Sequence, residues 1–329
     1  MYLNTTNPLY DAEYLIKYPN LMLSIFGVVT NIIHIYFLSQ TVKKHPIFVC
    51  FVVIGIADFF QFFSIFVLET VVVINYIDNR NCIGYINLAD LVFKLFTAFL
   101  FSCGNTTAGW MITIVAIIQG RDIKFQNYWT QKLAATVSKV TVVLCIALNV
   151  FGIFTPVLVF CQLEYVVCSE KNLMQIYVET HSNGVTKIFW LCQRLSNYIE
   201  VFNVIFTLIS PFYLIKRGKT CVDEKKKKCS SLIIYLLFSF LISHFGSFLL
   251  NRILVVRSSN IWKGLPTQAS LVLPLEIHRL CIMVGANIRP WVFFTVSTEY
   301  QESMKAFFDI SGGTVAIVPK RSDLSRTQT

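Results

Sequence analysis

Ionisable side chains sit inside long apolar runs of this chain, where hydrocarbon would surround them. Asp58 stands in one such run and Arg289 in another, while Glu69, Asp90, Lys94, Arg252, Glu276, His278 and Arg279 fall toward the outer parts of four of them. A charge at the centre of a bilayer costs ~2.5–3.5 kcal/mol or more, so such groups pair with one another or line a polar cavity. The chemistry on offer is therefore ion pairing and recognition of a charged ligand. Bond-making chemistry has no comparable support, since no nucleophile elbow, phosphate loop or metal-ligand spacing occurs. His34, His244 and His278 lie in different runs, each without a second ligand at zinc spacing, which favours histidines satisfied within a bundle. No lysine falls between Lys263 and Lys305 to carry a Schiff base in the last run. No enzyme, cofactor or metal is expected.

Composition dictates the elements that must hold these groups. Of 329 residues, 55% are apolar and 14% charged, against about 25% charged in soluble domains, so the chain reads as a polytopic membrane protein. A helix crossing takes ~20 mainly apolar residues, and seven runs qualify: 20–40, 46–75, 88–119, 137–162, 195–215, 230–256 and 269–297. The first two make a hairpin, with Asn31 in one arm, Asp58 in the other, and Lys43 and Lys44 in the turn. Pro46 suits the start of the second arm because its missing N–H falls where a helix has no acceptor for it.

Lysine and arginine concentrate in alternate connections: Lys43 and Lys44; Arg121, Lys124 and Lys132; Lys216, Arg217, Lys219 and residues 225–228; and the C-terminal segment from Lys305. The positive-inside bias then places the N-terminus outside and the C-terminus in the cytoplasm. The formal charge of +10 is thus mostly a topology signal, and no nucleic-acid partner is expected. Residues 225–228 read as a solvated loop facing lipid headgroups. The first twenty residues are polar, so the first run is expected to serve as its own signal anchor. Asn4-Thr5-Thr6 is a glycosylation sequon on the outer side.

The expected organisation is an extracellular N-terminus (1–19), an all-α seven-transmembrane-helix bundle (20–297), a short amphipathic helix (298–310) and a disordered cytoplasmic tail (311–329). In the amphipathic helix Tyr300, Met304, Phe307 and Phe308 recur at helical spacing, which suits the inner membrane surface. Most of the ten cysteines lie in apolar runs as small buried hydrophobes. Cys82 and Cys168 fall in outer loops, in the oxidising compartment, and are expected to pair, with Cys161 as the rival partner. Asp90 and Lys94, four apart on one helical face, can pair with each other.

Seven helices, an outer N-terminus, a loop disulfide and a terminal amphipathic helix together look like a G-protein-coupled receptor. Asn31-Ile32-Ile33-His34-Ile35-Tyr36-Phe37-Leu38, followed by Ile54-Gly55-Ile56-Ala57-Asp58, resembles the first hairpin of the nematode chemoreceptors called serpentine receptor class W. Ser297-Thr298-Glu299-Tyr300 is similar to that group's Ser-x-x-Tyr, and the spacing from Cys82 to Trp110 and Ala116 is similar to its long approach to the third helix. That group is related to rhodopsin-like receptors for FMRFamide-type peptides. Three departures stand out. Ala116-Ile117-Ile118-Gln119 has glutamine where the family places arginine, with Arg121 two residues on; Gln301 stands where arginine is frequent; and Asn287-Ile288-Arg289-Pro290-Trp291 replaces Asn-Pro-x-x-Tyr.

The resemblance implies a chemosensory or neuropeptide receptor with an extracellular ligand and a heterotrimeric G protein as partners, within membrane lipid. It implies an inner polar switch of Asn31, Asp58 and Asn287, a site that holds sodium in many related receptors. Here Arg289 adds a cation that either pairs with Asp58 in place of sodium or reaches inward to the headgroups. Gln119 and Arg121 would face the G protein. Glu69, Asp90, Lys94, Arg252, Glu276, His278 and Arg279 would bound an outward-facing ligand cavity, and an Arg-Phe-amide peptide would need an acidic partner among Glu69, Asp90 and Glu276. A channel or transporter with a polar path is the alternative, though no repeat between the two halves supports it.

Overall fold

Long apolar stretches without water to hydrogen-bond them can only satisfy their backbone by coiling into helices, and helices dominate the computed structural model. It describes the backbone of residues 8–43, 45–78, 88–124, 130–168, 171–178, 184–219, 223–261 and 269–311, and the side chains of a smaller set within them. The elements run α1 (Pro8–Thr41), α2 (Phe48–Asp78), α3 (Leu88–Lys124), α4 (Gln131–Phe160), β1 (Cys161–Cys168), β2 (Lys171–Val178), α5 (Gly184–Gly218), α6 (Glu224–Ile261), α7 (Ala269–Val296) and α8 (Thr298–Ser311). Each of the seven apolar runs falls largely within one of α1 to α7. Among the described residues, four helices carry stretches long and apolar enough to cross a membrane: Lys17–Thr41, Phe48–Val71, Val92–Arg121 and Gln131–Val150. A fifth passes if Ile277–Val296 is taken with α8, which turns from it by 88°.

Two expectations need correcting. The fold is not purely helical: β1 and β2 pair antiparallel, from Cys161 opposite Val178 to Cys168 opposite Lys171. The run 161–168 alternates and is rich in valine and other β-formers, the pattern of a strand, and the apolar-run criterion had absorbed its first residues into α4. Residues 225–228 are also not a loop but the opening turns of α6. Asp223 Oδ1 accepts the Lys225 backbone N–H at 2.9 Å, an N-cap that lets a run of good helix formers begin at once.

The core lies toward the end of the bundle where exposed Lys43, Lys132, Lys219 and Lys225 gather, here called the basic end. Phe37, Phe51, Ile54, Met111, Ile112, Leu236, Phe240 and Phe293 pack there from α1, α2, α3, α6 and α7. Their counterparts on the opposite face, such as Ile32, Ile33, Val143, Leu144, Ile209 and Phe212, are exposed, as expected of helices apolar all round that meet lipid. A Cβ on Gly104 would strike the Ala57 carbonyl and Gln61, and one on Gly285 would overlap Ser243, so α2–α3 and α6–α7 close through small residues.

α8 is more than a surface helix. Tyr300 is buried and packs against His34, Phe37 and Phe293, while Phe307 edges onto Tyr36 and Phe37. Phe307 and Phe308 both remain exposed. The helical spacing of its aromatics was right about one apolar face, and that face docks under α1 and α7.

Candidate functional site

Three polar centres succeed one another along the bundle, beginning at the end where α1 starts. Glu69, on α2, has a fully buried side chain. Lys17 Nζ from α1 lies 3.5 Å from its Oε2, and Arg279 Nη1 from α7 lies 3.8 Å from its Oε1. Beside this triad a cavity of about 180 Å³ opens between α2, α3 and α7, with Ser64, Thr97, Phe101, His278 and Arg279 in its wall. Of the outer residues expected to bind ligand, the structure brings together Glu69, His278 and Arg279. Lys94 stands on α3, where its carbonyl accepts the Thr97 hydroxyl at 3.0 Å. The side chains of Asp90, Arg252 and Glu276 lie outside the described residues, as do Asn4, Cys82, the side chains of Cys161, Cys168 and His244, and the tail beyond Ser311.

Deeper, Arg289 Nη1 of α7 donates to Asp58 Oδ1 of α2. The guanidinium is 1% exposed, so it does not reach inward to headgroups, and the ion pair is the outcome. Its Cζ stacks 3.5 Å from the ring centroid of Phe240 on α6, a cation–π contact that joins a third helix to the pair. Asn31 and Asn287 do not hydrogen-bond to Asp58: Asn31 Nδ2 donates to the Gly27 carbonyl at 2.8 Å, and Asn287 Nδ2 to the Leu23 carbonyl at 3.4 Å, both on α1.

The related receptors' sodium ion does not fit here. It would need the Asp58 oxygens and would meet a guanidinium whose Nε and Nη2 have no hydrogen-bond partner among the described residues. A second cation against unshared N–H groups in a low-dielectric site is repelled.

At the basic end, Gln119 is 1% exposed and its amide donates to Ser230 Oγ of α6 at 3.4 Å, whereas Arg121 points to the exterior. Two residues turn a helix by about 200°, which is why the two side chains face apart. A second cavity, about 190 Å³, lies here with Gln119, His45, Lys225, Lys226, Ser297 and Glu299 in its lining. His34 Nδ1 is 3.0 Å from the Tyr300 hydroxyl, the satisfied bundle histidine its isolation suggested. Gln301 Nε2 caps α7 by donating to the Phe294 carbonyl at 2.7 Å.

Some contacts escaped the sequence. Lys17 stands at the edge of the first apolar run, a position from which a lysine can turn inward. Thr113 on α3 reaches Asn203 and Thr207 on α5 at 2.9 and 3.0 Å, and Asn149 of α4 joins Ser102 and Thr106 of α3. These uncharged groups carry no such signal, because amides and hydroxyls are frequent in helices of every kind.

Long apolar helices tied by buried ions define a helical-bundle membrane protein. Residues 18–311 match the family model described as Serpentine type 7TM GPCR chemoreceptor Srw, and the chain belongs to that family. It is a GPCR-like chemosensory receptor rather than an enzyme. No match was found among curated proteins.

Proposed function

We propose that the chain is a plasma-membrane chemosensory receptor in which an outer ligand shifts the bundle between conformations that differ at the basic end. All seven long helices would cross the bilayer, with the N-terminus, the Asn4 sequon and a Cys82–Cys168 disulfide outside and the basic end in the cytoplasm. The observation that carries the reading is the order of the three centres: a cavity at one end, a sealed ion pair across α2, α6 and α7 in the middle, and a second cavity at the other end. A ligand that binds one arrangement of α7 better than another shifts the population by its differential affinity, and the Asp58–Arg289 pair is the element whose geometry would report that shift. An amidated Arg-Phe peptide remains a candidate ligand through Asp90 or Glu276; Glu69 suits it less, because Lys17 and Arg279 already face that carboxylate.

Expression of the full chain with a promiscuous G protein, followed by a screen of small polar metabolites and amidated peptides, tests the proposal. Ligand-evoked second messenger without membrane current is expected. Current without second messenger would favour a channel or transporter. A companion substitution, Gln119→Arg, is expected to raise coupling if the site still fits its transducer.

A further inference from the structure

A run of lysines, Lys225 to Lys228, opens α6 directly after Glu224, and helix formation does not ask for it. The first turn of a helix carries the positive end of its dipole and favours acidic groups, while like charges three or four residues apart repel. Positive-inside topology does not ask for it either, since Lys216, Arg217 and Lys219 already make this connection basic. A local rule broken without a gain to the fold points to a functional demand. The helix terminus itself is engaged, because Asp223 Oδ1 accepts the Lys225 and Lys226 backbone N–H groups at 2.9 and 3.4 Å. The ammonium groups are what the run has to offer.

Lys225 and Lys228 lie on one face of α6 and both line the cavity at the basic end, together with Ile47, Phe48 and Leu232. Both are exposed, and neither side chain meets a carboxylate among the described residues. Lys227, about 200° around the helix from Lys225, is not in the lining. Two carboxylates share the wall. Asp223 caps α6, and Glu299 Oε2 accepts the Ser297 and Thr298 hydroxyls at 3.4 and 3.3 Å. With Lys226 also in the lining, lysines outnumber carboxylates and the wall is net basic.

The corner between α7 and α8 gives the cavity its depth. α8 turns 88° from Ile277–Val296, so it follows the membrane surface where α7 crosses, a level that suits its exposed Phe307 and Phe308. Ser297 and Glu299 at that corner line the cavity, which sets it at headgroup depth. Resting on the receptor reading above, which turns the basic end to the cytoplasm, we infer that this cavity binds the phosphomonoester head of an inner-leaflet lipid between Lys225 and Lys228. A monoester carries about −1.5 to −2 charge at pH 7 and three strong acceptor oxygens, a match for two ammonium groups that a singly charged diester lacks. About 190 Å³ equals roughly six waters at their liquid volume of ~30 Å³, room for a phosphate but not for acyl chains, which stay in the leaflet. The bound head ties α6 to the α7–α8 corner and offsets the repulsion among the lysines.

The test uses the purified full-length receptor in neutral detergent and reads thermal unfolding with the dioctanoyl forms of phosphatidic acid, phosphatidylglycerol and phosphatidylcholine, and with glycerol phosphate as the head without its chains. Phosphatidic acid is expected to raise the midpoint saturably, and the other three not to. The double variant Lys225→Gln with Lys228→Gln should weaken that binding roughly ten- to thirtyfold, the worth of two lysines at an anionic surface. Its lipid-free midpoint should not fall, because repulsion has been removed. Lys227→Gln takes the same charge from the same turn but outside the lining, and should change binding far less. Equal stabilisation by phosphatidylglycerol or by glycerol phosphate, an equal loss in Lys227→Gln, or a lower lipid-free midpoint in the double variant would overturn the inference. Labelling of Lys219→Cys by an impermeant thiol reagent, with the parent chain as background, tests the orientation separately. Labelling in intact cells would remove the receptor reading and the choice of leaflet while the phosphate site stands on its binding; labelling only after permeabilisation, with no response to phosphatidic acid, would remove the site alone.

Discussion

Asp58 and Glu69 stand eleven residues apart on α2, about 16 Å along the helix axis, and each meets an arginine from α7. Around Asp58 one carboxylate faces one guanidinium, closed over by the Phe240 ring. Around Glu69 one carboxylate faces two cations, one of them looking into a cavity. The functional groups and the two helices are the same, and only the surroundings differ. A sealed pair can exchange partners only if the helices separate, so it holds the bundle in register. In the open one the Arg279 side chain stays 31% exposed at the cavity wall.

The largest effect that would test this contrast is at the sealed pair. Arg289→Ala leaves a buried carboxylate without its cation and should cost about 3–5 kcal/mol, read as a large fall in unfolding midpoint and surface expression. Removing both charges with Asp58→Asn and Arg289→Met should restore most of that stability, since well-packed neutral groups often replace a buried pair at little cost. A double variant as unstable as the single would mean that the two sites are not coupled. At the open centre Glu69→Gln should cost less, about 1–2 kcal/mol, because the Arg279 side chain, 31% exposed, keeps access to water. Matching losses at Asp58 and Glu69 would erase the distinction.

Ionic strength gives a finer separation. Raising salt from 0.1 to 1 M shortens the screening length from ~10 to ~3 Å, which should reduce the Glu69 coupling energy measured by a double-mutant cycle and leave the Asp58 value unchanged. The smallest expected effect is none at all. Replacing sodium by N-methylglucamine at constant chloride should not move the unfolding midpoint, because Arg289 already occupies the carboxylate. In Arg289→Met a sodium dependence should appear.

The sequence disclosed the charged skeleton of this molecule better than its edges. Asp58 and Arg289 could be singled out as intramembrane charges in need of partners before any coordinates, because hydrocarbon makes an isolated charge costly. The helices were legible for the same reason. Whether Arg289 would reach Asp58 or the headgroups was not, since its long side chain permits either, and the choice depends on how α6 and α7 pack around Gly285 and Phe240. The β1–β2 hairpin was missed because a short alternating run beside an apolar helix satisfies a hydropathy window as well as a strand rule. The uncharged ladder of Thr113, Asn203 and Thr207 was illegible because such residues can also hydrogen-bond within their own helix.

The hydrogen bond from α1 to α8 sets a clock on biosynthesis. His34 and Tyr300 are 266 residues apart, and translation at ~5–20 residues per second puts roughly 13–50 s between the appearance of one and of the other. For that interval the first helix sits in the membrane with an imidazole whose partner does not yet exist. Quality control that inspects nascent membrane helices therefore meets an unfinished α1 for most of the chain's synthesis, and a truncation just before Ser297 should be recognised and degraded although every long helix has already been made.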